Sequence, residues 1–231
     1  MSYAHQSAII PHMTFQESLK KIKQSCDEFV WWSPSQIARG EDLINDPTKG
    51  QRAWAIPETT GEFLHAKILE LKPKTILELG TSLGYSTAWL AHAGQEIGAH
   101  VFTIERQQEK FHLAQKNLTD ANLEKNVTFY FGEISDILKN SDLLPTAQKL
   151  DFVFMDADRG HYHEYFPILE PHLSDHAVII ADNAENMNAR MQPFFKLLDE
   201  KKWTWEVLDL DNGILIATSV PLRLAEPRHL P

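Results

Sequence analysis

Five short stretches of this chain carry residue types able to bind a charged ligand or move a proton. The first is Glu78-Leu79-Gly80-Thr81-Ser82-Leu83-Gly84-Tyr85-Ser86. Its glycines let backbone approach a ligand closely, and a helix starting after them offers free N–H groups to an anion. A dinucleotide fingerprint requires glycine at 82 and usually at 85, but those positions are Ser82 and Tyr85, so a pyrophosphate fits poorly. The second is Glu105, about 20 residues on, whose carboxylate can accept hydrogen bonds from both hydroxyls of a ribose. Gly132-Glu133 is the third; Glu133 could meet an adenine or cap the helix that follows. Asp156-Ala157-Asp158-Arg159 and Asp182-Asn183 complete the set. Hard oxygen ligands on adjacent strand ends suit Mg²⁺ or Ca²⁺, with open positions for water and substrate. Taken singly, Asp156, Asp182 and Asn183 could equally cap helices. Together at one edge they favour a metal site.

Such residues need a scaffold that gathers them. Short β-like runs at Thr75–Leu79, His100–Glu105, Val127–Phe131, Leu150–Asp156 and Ala177–Asp182 alternate with helical stretches, the clearest carrying Phe111, Ala114, Leu118 and Ala121. That alternation predicts a parallel sheet with helices on both faces. Continuous apolar runs such as Phe152-Val153-Phe154-Met155 suit strands covered on both sides. Ligands of an open parallel sheet sit beyond the carboxyl ends of its strands, where all five stretches fall. Trp205–Leu210 and Gly213–Val220 are joined by Asp211-Asn212-Gly213, and Asn-Gly is a hairpin signal because both residues tolerate positive φ. The expected sheet therefore has seven strands and finishes on an antiparallel one after six parallel.

The N-terminal part reads differently. Thr14-Phe15-Gln16-Glu17 is a capping box, and Leu19, Ile22, Cys26, Phe29 and Val30 follow at helical spacing until Ser33-Pro34 ends the helix. Gly40, Pro47 and Gly50 mark a connecting loop, and a second helix is expected from about Pro57 to Leu71. The organisation is thus a helical arm over 1–56, a ligand-binding domain over 57–220, and an irregular tail over 221–231.

Composition narrows the partners. Of 231 residues, 22 are Lys or Arg and 32 are Asp or Glu, a formal charge of −10, with no basic stripe for a nucleic acid. Apolar runs such as Ala177–Ala181 are far too short to span a bilayer. Met1 to Phe15 has no basic segment followed by an apolar core, so no secretory signal is expected. The single cysteine, Cys26, rules out an internal disulfide framework and agrees with a cytoplasmic protein.

From about Ala55 to Thr218 the sequence resembles the cation-dependent, S-adenosylmethionine-dependent O-methyltransferases, the group of the catechol and caffeoyl-coenzyme A enzymes. The likeness rests on Ile56 to Leu64, Leu77 to Ser86, Thr103-Ile104-Glu105, Asp156 to Tyr165 and Ala181-Asp182-Asn183 in combination. It implies an α/β, Rossmann-like class I methyltransferase fold. It further implies that Gly80, Thr81, Tyr85 and Ser86 hold the methionine end of the donor, with Glu78 and Gly84 beside them. Glu105 would hold the ribose, Glu133 would lie near the adenine, and Arg106, Gly132 and Asp156 would also border the donor. Asp156, Asp182 and Asn183 would ligate the divalent cation, Mg²⁺ in the first instance, with Ca²⁺ or Mn²⁺ as alternatives. Two positions depart from the family: Arg159 stands where lysine is usual, and Glu133 where aspartate is more frequent.

The implied reaction is methyl transfer to a hydroxyl of a small catechol-like or phenolic acceptor. A divalent cation lowers the pKa of a bound hydroxyl and fixes its position. Guanidinium keeps its proton at ordinary pH, so Arg159 is expected to stabilise negative charge, while Asp158, His161 or water takes the proton. Tyr162 and Tyr165 are expected to pack near the site, and His161 with His163 to be solvated or hydrogen-bonded rather than a metal pair. Trp31, Trp32 and Trp54 could line an aromatic acceptor pocket or pack in a core or interface. Cys26 is read as core. A homodimer is expected from the apolar stripe and the family. Two other functions stay open: methylation of a hydroxylated uridine in transfer RNA, and donor binding without turnover.

Overall fold

A computed structural model describes residues 13–31, 51–140, 149–184 and 190–220 of the chain. Trp32, the loop with Gly40, Pro47 and Gly50, and the tail 221–231 lie outside the described residues. Helix α1 spans Phe15–Glu28 and opens on the expected capping box: the Glu17 N–H donates to Thr14 Oγ1 (3.2 Å) and the Thr14 N–H to Glu17 Oε2 (2.8 Å). It stops earlier than Ser33-Pro34. Phe29 is already extended, and Val30–Trp31 (β1) pairs antiparallel with Gln51–Arg52 (β2). A Phe-Val-Trp run favours extended chain, and that preference overrides the helical spacing of Phe29 and Val30. The rest of the stripe is buried in its own chain. Leu19, Ile22 and Cys26 join one core cluster with Trp89 and Leu90, and the Phe15 ring meets Trp89 edge-on at 5.1 Å. These residues therefore give no exposed face for a second copy.

Helix α2, Glu58–Leu71, starts on Pro57 and leads into β3, Thr75–Leu79. Then follow α3 (Tyr85–Ile97), β4 (His100–Glu105), α4 (Gln108–Asp120), β5 (Val127–Phe131), α5 (Ile134–Lys139), β6 (Leu150–Met155), α6 (Tyr162–Leu169) and β7 (Leu173–Ala181). Helix α7 (Gln192–Glu200), β8 (Thr204–Leu208) and β9 (Ile214–Thr218) close the order. The seven-stranded sheet runs β5-β4-β3-β6-β7-β9-β8. Its first five strands pair parallel, and β9 lies antiparallel between β7 and β8. This is the class I methyltransferase form of the Rossmann-like fold.

The pleat divides the core in two. Phe152 and Phe154 enter one cluster with α1, α2 and α3, while Val153 and Met155 enter the other with α6 and α7. Burial on both faces is why Phe152–Met155 in β6 reads as an unbroken apolar run.

Strand limits differ from expectation at β6 and β7, and also at β8, which covers Thr204–Leu208 rather than Trp205–Leu210, and at β9, which covers Ile214–Thr218 rather than Gly213–Val220. Strand β6 ends at Met155 and β7 at Ala181, so Asp156 and Asp182 are the first residues beyond their strands. Strand β7 begins four residues before Ala177, because its lead-in Ser174-Asp175-His176 is largely exposed and has no apolar signature. The β8–β9 connection takes positive φ at Asp211 (53°) and Gly213 (83°) rather than at Asn212. There the Asp211 carboxylate accepts hydrogen bonds from the Thr59 and Thr60 hydroxyls, at 2.6 to 2.7 Å, tying the hairpin to the start of α2. Among the described residues, no helix is long and apolar enough to cross a membrane.

Candidate active site

The order of strands reverses at β3, which lies between β4 and β6, so a crevice opens beyond the ends of β3, β4 and β6. Gly80, with φ +103°, turns the chain there, and a Cβ on it would lie 2.6 Å from the Asp156 carbonyl oxygen. Only glycine lets the two strand ends come this close. Ser82 takes φ +50° without being glycine. Its N–H donates to Glu105 Oε2 (2.9 Å), and the Gln107 N–H donates to Glu105 Oε1 (2.8 Å). The Glu105 carboxylate is thereby fixed at the crevice wall.

Behind the loop lies a second acid. Glu78 is wholly buried and accepts from Ser86 Oγ (2.6 Å), Thr87 Oγ1 (2.5 Å) and Thr103 Oγ1 (2.6 Å). Burial pushes its carboxyl up, and the three hydroxyls partly offset that. Glu78 is the bolt that holds α3 to β3 and β4. Thr81 Oγ1 bonds Thr103 Oγ1 at 2.5 Å, and Tyr85 borders a groove beside α1. The side chains of Glu78, Thr81, Tyr85 and Ser86 thus stand behind the crevice or away from it. Their hydroxyls and carboxylate position the Gly80–Gly84 backbone.

The crevice is a cavity of about 440 Å³, bordered after β3 and β4 by Gly80, Ser82, Ile104, Glu105, Arg106, Gln107 and Lys110. After β5 it is bordered by Glu133, Ile134 and Ser135, after β6 by Asp156, Ala157, Asp158, His161, Glu164 and Tyr165, and Trp54 also lines it, 83% exposed. Glu133 stands at the N-cap of α5, where its carbonyl accepts from the Asp136 and Ile137 N–H groups, but its side chain makes no capping bond and faces Arg106 at 3.5 Å. Gly132 is held by its N–H to the Glu105 carbonyl (3.0 Å). Lys110 escaped the sequence reading. It sits in the first turn of α4, where the helix dipole disfavours a cation, and that misfit was the available signal. Burial lowers its pKa, while Glu105 and Asp156 act to raise it.

Asp156 floors the cavity and Asp182 follows the neighbouring strand, its N–H donating to the Met155 carbonyl (3.2 Å). Asn183, at φ +61°, donates from Nδ2 to Asp182 Oδ2 (2.6 Å). Asp182 is 4% exposed, yet its Oδ1 has no hydrogen-bond partner. Enclosure raises both carboxyls above the usual range, Asp156 the further because Asp182 and Glu78 add their charge. Arg159 pulls both back down, and Lys110 adds to it at Asp156. A buried oxygen without a partner, two crowded carboxyls and a neighbouring amide form a hard donor set that a divalent cation would complete. The helix-cap reading does not hold for Asp156: Asp158 caps the 3₁₀ turn Arg159–His161 by accepting from the Gly160 N–H (3.1 Å). Asp158 also pairs with Arg190 and lies 3.4 Å from His161 Nδ1. Tyr162 donates its hydroxyl to the Met155 (3.0 Å) and Ala157 (3.2 Å) carbonyls, holding the loop in place. His161 stacks near Tyr165 at 6.2 Å, and His163 lies beside Glu164, so these histidines do not converge on one ion.

The profile of the family described as "Methyltransferase domain" matches residues 77–184, a span holding every residue named at the cavity except Trp54. A catechol O-methyltransferase of Niastella koreensis is 35% identical over 134 residues, 58% of this chain and 60% of that one. A probable O-methyltransferase of Mycobacterium tuberculosis is 26% identical over 184 residues, 76% of each. This chain spans only 60% and 50% of the length of the Niastella koreensis and Bos taurus catechol O-methyltransferases. Among solved structures, an O-methyltransferase from Bacillus cereus in complex with SAH superposes with a TM-score of 0.66 at 24% identity, over 91% of this chain and 92% of that one. Crevice, sheet order and sequence agree: over residues 77–184 the chain matches the methyltransferase-domain family and is similar to the catechol O-methyltransferases, and it shares the fold of the solved O-methyltransferases.

Proposed function

We propose that the protein transfers the methyl group of S-adenosylmethionine to a hydroxyl of a small catechol-like or phenolic acceptor, with a divalent cation at Asp156, Asp182 and Asn183. The observation that carries this reading is the partnerless Oδ1 of buried Asp182, beside Asp156 at the floor of the crevice. When bound there, the cation supplies Lewis-acid chemistry, lowering the pKa of an acceptor hydroxyl and orienting it.

The chain's own residues do the rest. Glu105, held by two N–H donors, accepts the ribose hydroxyls through its remaining lone pairs. Glu133 and Arg106 border the adenine end. Trp54 gives a flat apolar wall for an aromatic acceptor at the mouth. Arg159 keeps its charge and stabilises the developing oxyanion, and Asp158 or His161 carries the proton toward solvent. Holding donor and acceptor at attack distance contributes several kcal/mol, in the order of ~5.

Calorimetric titration with S-adenosylhomocysteine, in Mg²⁺ and then in EDTA, tests the donor site without an acceptor. Binding near ~10 μM, about −7 kcal/mol, supports the pocket, and no binding in either condition removes it. A phenol panel and a transfer RNA then test the acceptor: binding without transfer to either leaves a donor-binding protein. Arg159→Lys separates the two roles of that position, since a base gains activity at high pH and a fixed charge loses it.

A further inference from the structure

We propose that His65, His92 and Glu96 form a second metal site, for an imidazole-binding transition ion such as Zn²⁺, on the outer surface where α2 meets α3. None of the three borders the crevice, and the proposal does not depend on the methyl-transfer reading. His92 and Glu96 are one turn apart on α3 and share a face, while His65 reaches them from α2. Their ligand atoms all lie within 4.8 Å of one another. Glu96 Oε1 is 2.8 Å from His65 Nε2 and 3.6 Å from His92 Nε2. Donors on a tetrahedral Zn²⁺, with bonds of ~2.0–2.2 Å, stand about 3.3–3.5 Å apart, so the two observed separations bracket the required edge. Small side-chain shifts suffice to admit the ion.

An ion pair alone accounts for His65 and Glu96 but leaves His92 aimed at the same oxygen. The imidazoles are also held in place beforehand. The His65 and His92 rings stack at 5.3 Å and 27°, and His92 lies flat on Phe15 at 3.8 Å and 22°. Burial, with His65 alongside, keeps His92 toward its neutral form, the form that ligates. The three side chains are 22%, 32% and 46% exposed, leaving a path in and a fourth position for water. Two imidazoles and one carboxylate favour Zn²⁺, Co²⁺ or Ni²⁺ over Mg²⁺. An ion here would clamp α2 to α3 and, through Phe15, the first turn of α1 to both.

Tag-free protein, kept in excess Mg²⁺, is titrated calorimetrically with Zn²⁺ and followed by thermal melting, beside His92→Asn and Glu96→Gln. Wild type is expected to take up one more equivalent of Zn²⁺ than either variant. Its Tm should rise by about 3–6 °C at tenfold excess over Kd, against under about 1 °C for the variants. Glu96 is a surface residue, so Glu96→Gln keeps the test valid if His92→Asn fails to fold. Equal Zn²⁺ stoichiometry and equal Tm response in all three proteins, or no uptake by wild type below about 100 μM, overturns the site.

Discussion

The two walls of the crevice are built on opposite terms. On the donor wall every acid is already satisfied by the protein: three hydroxyls hold Glu78, and two backbone N–H groups hold Glu105. Just beyond β6 and β7 the terms differ: Asp182 keeps a buried oxygen without a partner and adds its charge to that of Asp156, while Trp54 stands open at the rim. A buried group left without a partner costs about 1–3 kcal/mol. The first wall is thus preorganised for a ligand of fixed shape. The second is completed by what it binds.

The sharpest way to break this contrast is Asp182→Asn. It should cut methyl transfer by more than the roughly 100-fold lost when only an outer partner of a metal site is removed, and abolish stabilisation by Mg²⁺. S-adenosylhomocysteine should still bind within about threefold of wild type in calorimetry. The same variant has a pH signature. A carboxyl whose folded pKa is raised lends stability below its unfolded pKa and loses it as the pH rises through the raised value. In EDTA, Asp182→Asn should therefore melt above wild type near pH ~7.5, with the gap closing toward pH ~5 as Asp182 takes its proton. A gap that widens on acidification would contradict the crowded-acid account.

Glu105→Ala attacks the other wall. S-adenosylhomocysteine affinity should fall about 10–100-fold, or ~1.4–2.7 kcal/mol, with Mg²⁺ binding unchanged. Unaltered affinity would mean that the ribose lies elsewhere. Trp54→Ala should raise the KM for a phenolic acceptor about 3–10-fold, leaving kcat and donor affinity nearly constant. A fall in donor affinity instead would move Trp54 to the donor wall. Thr14→Ala, remote from both walls, should lower stability by about 1 kcal/mol, a Tm fall of about 2–4 °C, at full activity per folded molecule.

The donor wall was the more legible in sequence because its elements are local. Gly80 and Gly84 announce a turn, and the apolar runs of β3 to β6 end within a residue of their expected limits. What Glu78, Ser86 and Thr87 do was not legible, since a buried cage and a ligand grip use the same residue types at the same spacing. Lys110 and the start of β7 were hidden by polar composition. The end of α1 was misread because Phe29 and Val30 fit a helical period and a strand equally, and pairing with residues 51–52 decided the outcome. His65 and His92 lie 27 residues apart, and only the packing of α2 on α3 brings them together.

The place of β9 has a consequence for how the chain is made. It follows every other strand of the sheet in sequence, yet it lies inside the sheet, between β7 and β8. During synthesis the edge of β7 stays bare until residue 218 has left the ribosome, and β8 has nothing to pair with before then. A nascent chain stopped at residue 212 would hold nearly the whole crevice and still present an open sheet edge to its neighbours. Premature termination there should yield aggregates rather than a smaller folded protein.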